Sequence, residues 1–148
     1  MAHRESIANV LLNAGKEKSV KGKIAYLTEN GNDSVPLRII LRLIYDETIE
    51  FLVPDSAPPF KPNQLDDLDT MLYREARRMK IFFNGGGYEG LNQMKRESLF
   101  IQLLEDLDAG DASLLANNVI SHTPIKGLTK KTVEAAFPEL FSAPMDMR

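Results

Sequence analysis

Four groups of residues have types and spacings that could do chemistry. Gly85, Gly86 and Gly87 lie between Phe83-Asn84 and Tyr88-Glu89, and consecutive glycines let a backbone come close to a ligand, with free amides at the start of a following helix. A phosphate loop of the nucleotide hydrolases needs a lysine and a hydroxyl directly after its last glycine, with a strand before it. Neither is present, and a plain turn between helices accounts for the same residues. In Lys126-Gly127-Leu128-Thr129-Lys130-Lys131 a glycine and a hydroxyl open a helix whose first turn is flanked by lysines. That arrangement opposes the helix dipole. Free amides, a small residue and lysines together suit a phosphate, as a capped surface helix suits them equally. Arg74, Arg77 and Arg78 occupy helical positions that can share a side, with Lys80 just ahead of the glycines. Finally, Glu105, Asp106 and Asp108 could be imagined as an acid/base or metal pair. Without a histidine or a second carboxylate motif their spacing is not metal-specific, and a solvated helix end explains them.

Composition narrows the chemistry further. The 148 residues contain no cysteine and two histidines, His3 and His122. Disulfides, thiolate metal sites and cysteine nucleophiles are excluded, and a Ser-His-Asp triad would have to be built on His122 alone. No cofactor or metal site is indicated, and no enzymatic activity is expected. With 43% hydrophobic and 26% charged residues the chain describes one globular domain spanning residues 1–148. No apolar run approaches the roughly 18 residues of a membrane span, and the start lacks the layout of a signal peptide. The expected location is intracellular, in a reducing compartment. Net charge is −3, but its distribution is uneven. Residues 1–24 carry five basic side chains against two acidic, residues 46–70 one against seven, and residues 71–96 six against two. Such alternation can build a basic face on an acidic molecule.

The elements that must position these groups read as helix nearly throughout. Ile7, Val10, Leu11 and Ala14 recur at helical spacing up to Gly15, and Val20, Ile24 and Leu27 form a second stripe that ends at Asn30-Gly31, where the glycine suits a left-handed cap. Ser34 caps a third helix with Pro36 in its first turn and Leu37, Ile40, Leu41 and Ile44 on one face. These three are expected to pack as an antiparallel cluster. Residues 48–53 are short and partly β-branched, and the prolines at 54, 58, 59 and 62 make residues 53–65 an extended loop, with Phe60 packed on the body. Helix resumes at Asp66 or Asp67, through Leu68, Met71, Leu72, Ala76 and Met79, and stops at the glycines. The next helix runs from Tyr88 or Glu89 to Leu107. Its face comprises Leu91, Met94, Leu99, Leu103 and Leu104, widened by Phe100 and Ile101, which marks it as the central buried helix. Asp111 is expected to cap a helix over residues 112–119. Ser121-His122-Thr123-Pro124 breaks the pattern, a last helix covers residues 129–137 before Pro138, and residues 142–148 form a loose tail. The fold class is therefore all-α, a multi-helix domain.

The run Gly127-Leu128-Thr129-Lys130-Lys131-Thr132-Val133-Glu134-Ala135-Ala136-Phe137-Pro138-Glu139-Leu140 resembles the end of the N-terminal DNA-binding domain of ATP-dependent DNA ligases, including the T-even phage type. Pro36-Leu37-Arg38-Ile39-Ile40-Leu41-Arg42-Leu43-Ile44-Tyr45-Asp46 is similar to the early helix of those domains. Arg77-Arg78-Met79-Lys80 and Lys95-Arg96-Glu97, leading into Phe100-Ile101-Gln102-Leu103-Leu104, are similar to their central helices. The pattern spans about residues 16–141, and its final segment is the specific part. The whole chain also resembles a family of small proteins of large tailed phages, which shares the Arg-Arg, Gly-Gly, Lys-Arg-Glu and Ala-Phe-Pro-x-Leu landmarks.

The ligase resemblance implies an all-helical clasp on nicked duplex DNA through backbone and minor groove. The chain has no Lys-x-Asp-Gly, so binding without adenylate chemistry is implied. On that match Gly127, Leu128 and Thr129, flanked by Lys126, Lys130 and Lys131, would meet phosphates or sugars. Arg77, Arg78, Lys80, Asn84, Gly85, Gly86 and Gly87 would form the other contact. The charge departs from the pattern, since a pI of about 5.4 is low for a freestanding duplex binder. The expected function is a non-catalytic phage accessory protein that holds double-stranded DNA in the infected cell's cytoplasm. The alternative is a protein-binding adaptor, acting on a phage or host replication protein through the acidic stretch 46–70.

Overall fold

Hydroxyl and amide side chains start the helices at most of the places where the sequence offers them. The computed structural model describes residues 5–54, 60, 61, 63, 68 and 70–142. Ser6 accepts from Asn9 N ahead of α1 (Ile7–Lys16), Ser19 from Gly22 N ahead of α2 (Val20–Gly31), and Ser34 from Leu37 N ahead of α3 (Val35–Tyr45), where Pro36 sits in the first turn. After α4 (Met71–Glu75) the chain tightens into a 3-10 segment, Ala76–Phe82. Next come α5 (Gln93–Asp106), capped by Asn92, and α6 (Ala109–Leu114), which widens into a π-helical turn, Leu115–Val119. The described chain closes with α7 (Lys130–Ala136), capped by Thr129. The protein is all-α: among the described residues it has seven α-helices and no strand, only one antiparallel bridge between Phe51 and Phe83.

The buried apolar side chains form a single cluster drawn from every helix, and α3 contributes most to it, with Leu37, Ile39, Ile40, Leu41, Leu43, Ile44 and Tyr45 all buried. Phe60 packs against the cluster, as its place in the proline-rich loop predicts. The rest of that loop's interior and the expected helix start at Asp66 or Asp67 fall outside the described residues, as does the tail beyond Ser142.

Several elements differ from the pattern reading, each for a tertiary reason. Helices α1 to α3 do not close on themselves: α2 packs chiefly on α7 and α1, while α3 lies against α4, the 3-10 segment and the π turn. Gly31 takes no left-handed conformation. It is the last, buried residue of α2, where a Cβ would stand 2.5 Å from the Phe137 ring. The helix ahead of the glycines tightens to 3-10 as its last carbonyls find outside partners. Leu52 N donates to Phe82 O (2.7 Å) and Arg96 Nε to Ile81 O (3.2 Å); 3-10 runs this long are uncommon.

α5 starts at Gln93 because Asn92 caps Met94 N and Lys95 N. Residues 88–91 form a turn instead. The face of α5 that is buried carries Arg96, Phe100, Leu103 and Leu104, while Met94 is 81% exposed beside Glu97, Ser98 and Ile101. Asp108, not Asp111, caps α6, and Asp111 is wholly buried with Oδ1 accepting from Ala8 N at 2.8 Å. No helix among the described residues is long and apolar enough to cross a membrane.

At the end of α3, burial tends to raise the Asp46 carboxyl, but the Thr48 hydroxyl and amide and the neighbouring Arg42 more than offset it, and the net direction is down. A carboxyl lowered below its unfolded value, about 3.9, contributes stability that is fully present above that value and lost as pH falls through the lowered folded one. Asp46→Asn should therefore flatten the acid limb of a stability profile below about pH 4, followed by urea unfolding at each pH. On α5, Phe100→Ala, which removes the ring 5.1 Å from Phe82, should cost about 3–5 kcal/mol. Met94→Ala should stay within about 0.5 kcal/mol. Equal costs would contradict the observed face.

Candidate nucleic-acid interface

The C-terminal basic segment is held by three backbone anchors. Burial pushes the Tyr45 hydroxyl up to about 12, against the lowering effect of Ile125 N–H. That hydroxyl donates to Leu128 O at 2.8 Å and accepts from Ile125 N at 3.0 Å, clamping the loop between them. Leu128 is thereby buried, whereas Lys126, Gly127, Thr129, Lys130 and Lys131 are exposed. Gly127 has φ +86°, a conformation suited to glycine, and its Cα lies against Gly15. A Cβ on Gly127 would stand 2.2 Å from Gly15 O, and one on Gly15 would stand 2.1 Å from Lys126 O. Lys23 Nζ supplies the third anchor by donating to Gly127 O at 2.5 Å.

This contact brings together two basic runs that lie a hundred residues apart in sequence. Within a few residues of it are Lys16, Lys18, Lys21 and Lys23 from the α1–α2 corner, and Lys126, Lys130 and Lys131 from the α7 corner; Glu17 is the one acidic side chain in these two runs. Among the described residues none of the seven lysines forms an ion pair. Lys130 Nζ lies 5.0 Å from the Phe141 ring centroid, which holds the cation by its ring face while leaving it in water. The first turns of α2 and α7 contain no acidic residue. Thr129 Oγ1 accepts from Thr132 N at 3.2 Å, so one amide at the α7 start is already satisfied within the chain. Gly127, Leu128 and Thr129 thus set the backbone shape of this corner, and the lysines give it its charge.

The other predicted limb is organised differently. Arg78 is paired with Glu75 at 3.1 Å, Arg77 is partly buried with Nε inside the protein, and Lys80 is half-buried with its carbonyl pressed against Gly86. Asn84 is exposed, and its amide donates to Glu50 O at 2.8 Å. Gly85 and Gly87 both have φ +96°, and their amides point at a carboxylate of the same loop, Glu89 Oε1, at 2.7 and 3.5 Å. The N–H groups of Glu89 itself and of Gly85 hold that exposed carboxyl below the ordinary range, outweighing a small desolvation effect, with smaller help from Gly87 and the Arg96 charge. No hydrogen bond or ion pair among the described residues joins this limb to residues 126–131. The basic partner of residues 126–131 is the N-terminal run. The charge of that run is visible in the sequence, but its approach to residues 126–131 is not. The signal lay in Gly15, a glycine that the periodicity reads only as a helix stop.

Glu105 Oε2 accepts from Lys61 N at 2.8 Å and Asp108 Oδ2 from Gly110 N at 2.9 Å, so both serve the backbone. Of the acidic stretch, Asp46 is buried and engaged, Glu47 and Glu50 are exposed, and Asp55, Asp66, Asp67 and Asp69 lie outside the described residues. His122, at φ +53°, places Nε2 2.8 Å from Ile49 O and Nδ1 3.2 Å from Ile44 O, contacts that fasten the α3 exit.

Residues 10–122 match DUF6433, a family of unknown function. The chain belongs to this family. Neither the curated proteins nor the solved structures contain a match to it. The DUF6433 match includes the α1–α2 corner with its lysines, and residues 126–131 lie beyond its end at residue 122.

If the Gly15–Gly127 contact builds this face, Gly15→Ala should destabilise the protein by about 1–3 kcal/mol through overpacking. Helix propensity alone gives the opposite sign, a gain of about 1 kcal/mol. Urea unfolding of the two proteins separates the alternatives.

Proposed function

We propose that this DUF6433 protein is a non-catalytic binder of duplex DNA that grips the phosphate backbone with the lysine face around Gly15 and Gly127. The observation that carries the reading is seven lysines from two distant runs, none with a carboxylate partner among the described residues, around one close backbone contact. Phosphate contacts of this kind supply affinity without reading bases, and each bound phosphate releases counterions. A basic face on a molecule of net charge −3 is sufficient, because a polyanion responds to the local potential.

The resemblance of residues 127–140 to the ligase DNA-binding domain supports the same reading and extends it. It implies minor-groove contact and a preference for nicked duplex, with the chemistry left to a separate enzyme. On the phage resemblance, the proposed setting is an infected host cell. Arg77, Arg78, Lys80 and Asn84 belong to the proposal as a secondary limb, weaker because Arg78 is already paired with Glu75.

Fluorescence anisotropy with labelled intact, nicked and single-stranded DNA across a salt series tests this. Duplex binding should fall in the range of about 10⁻⁴–10⁻⁶ M and weaken steeply with salt. Lys130→Glu combined with Lys131→Glu should weaken it roughly tenfold or more and reduce the salt slope by about 2, with the helical circular dichroism unchanged. Lys16→Glu combined with Lys126→Glu should do the same. Absence of duplex binding at low salt would overturn the reading.

A further inference from the structure

The loop at residues 85–89 is built as an anion receptor, and it already holds an anion. Gly85 N donates to Glu89 Oε1 at 2.7 Å, and Gly87 N approaches the same oxygen at 3.5 Å. Successive backbone N–H groups converging in this way form the concavity that proteins use for phosphate and other oxyanions. The positive φ at Gly85 and Gly87 makes the concavity, and Gly86 seals its base by lying so close to the Lys80 carbonyl that a Cβ would stand 1.9 Å from that oxygen.

A second, independent feature lies next to it. Arg96 is 4% exposed, and the partners of its guanidinium are neutral: Ile81 O at 3.2 Å, Gln93 Oε1 at 2.5 Å, Tyr88 O at 2.9 Å and Glu89 O at 3.4 Å. No carboxylate pairs with it among the described residues. A buried cation without a counter-ion is costly, and here the guanidinium is bonded to the loop itself, at the carbonyls of Tyr88 and Glu89. Glu89 itself is exposed. It sits in the receptor as a solvent-facing plug, so leaving the receptor does not uncover a buried surface.

We propose that residues 85–89 form a phosphate-binding site which the Glu89 carboxylate occupies in cis, as an internal competitor for an incoming phosphate group. The site is separate from the lysine face, and it does not depend on that face binding DNA. A phosphate group outcompetes the carboxylate by carrying more charge and more acceptor oxygens toward the same amides, beside the buried Arg96 charge. The group can come from a small phosphorylated molecule or from a nucleic-acid backbone, and the chemistry of capture is shared.

The test is a titration of inorganic phosphate into 15N-labelled wild type, Glu89→Ala and Glu89→Gln, following the amides of Gly85, Gly87 and residue 89. Saturable shifts confined to these amides are expected in both variants. Glu89→Ala should bind at least tenfold more tightly than wild type, and Glu89→Gln, which keeps an acceptor oxygen but no charge, should lie between them. If Glu89→Ala disorders the loop, as judged by loss of the Gly85 and Gly87 signals, Glu89→Gln decides the question. Loop signals that do not respond to phosphate in Glu89→Gln would overturn the proposal and leave Glu89 as a structural cap. Duplex DNA in the same variants identifies the source. Tightened DNA binding by Glu89→Ala points to a backbone phosphate, and phosphate binding with unchanged DNA affinity points to a small molecule. Failure of the lysine-face variants to alter DNA binding would leave this result untouched.

Discussion

The approach of Gly15 to the peptide between Lys126 and Gly127 is the constraint on which the rest of the basic face depends. No side chain fits between the two backbones, so the C-terminal end of α1 and the loop before α7 meet at main-chain distance. Close approach of this kind transmits position accurately, because it involves atoms without rotamer freedom. The Tyr45 hydroxyl fixes the loop from the core side and Lys23 fixes it from the surface side. The consequence is electrostatic. Two lysine-bearing runs far apart in an acidic chain are brought to one backbone contact.

A different economy governs the glycine loop. There the charge is a buried one, Arg96, and it is satisfied by carbonyl oxygens instead of carboxylates. Those bonds pull residues 81, 88 and 89 toward the start of α5 and shape the turn between the 3-10 segment and that helix. Low dielectric strengthens such hydrogen bonds and also leaves the net positive charge poorly screened. Among the described residues no carboxylate pairs with Arg96, and the neighbouring concavity holds the exposed carboxylate of Glu89. Structure and electrostatics coincide at Glu89: the residue that shapes the turn is also the anion that fills it.

Local signals were legible wherever the answer depended on residues within four positions of one another. Ser6-capped α1, Ser34 with Pro36 at α3, and Thr129 before α7 all follow from capping and periodicity. The errors occurred where a distant partner competes for the same groups. Periodicity assigns Met94 to the core, but α5 begins only at Gln93 and turns Arg96 inward. The reason is that the Arg96 guanidinium finds carbonyls at residues 81, 88 and 89, a solution no helical wheel displays. Asp111 looks like a cap by position, yet its carboxylate is needed by Ala8 N, more than a hundred residues away.

By itself, then, the sequence determined the all-helical class, the places where most helices start, the absence of thiol chemistry and the presence of basic runs in an acidic chain. These are consequences of side-chain type and short-range spacing. Tertiary structure alone decided which basic runs share a surface and which glycine loop already carries an anion. Both depend on long-range backbone approach, at Gly15 with Gly127 and at Gly86 with Lys80. A glycine's identity permits such an approach, but only the folded chain shows what comes to meet it.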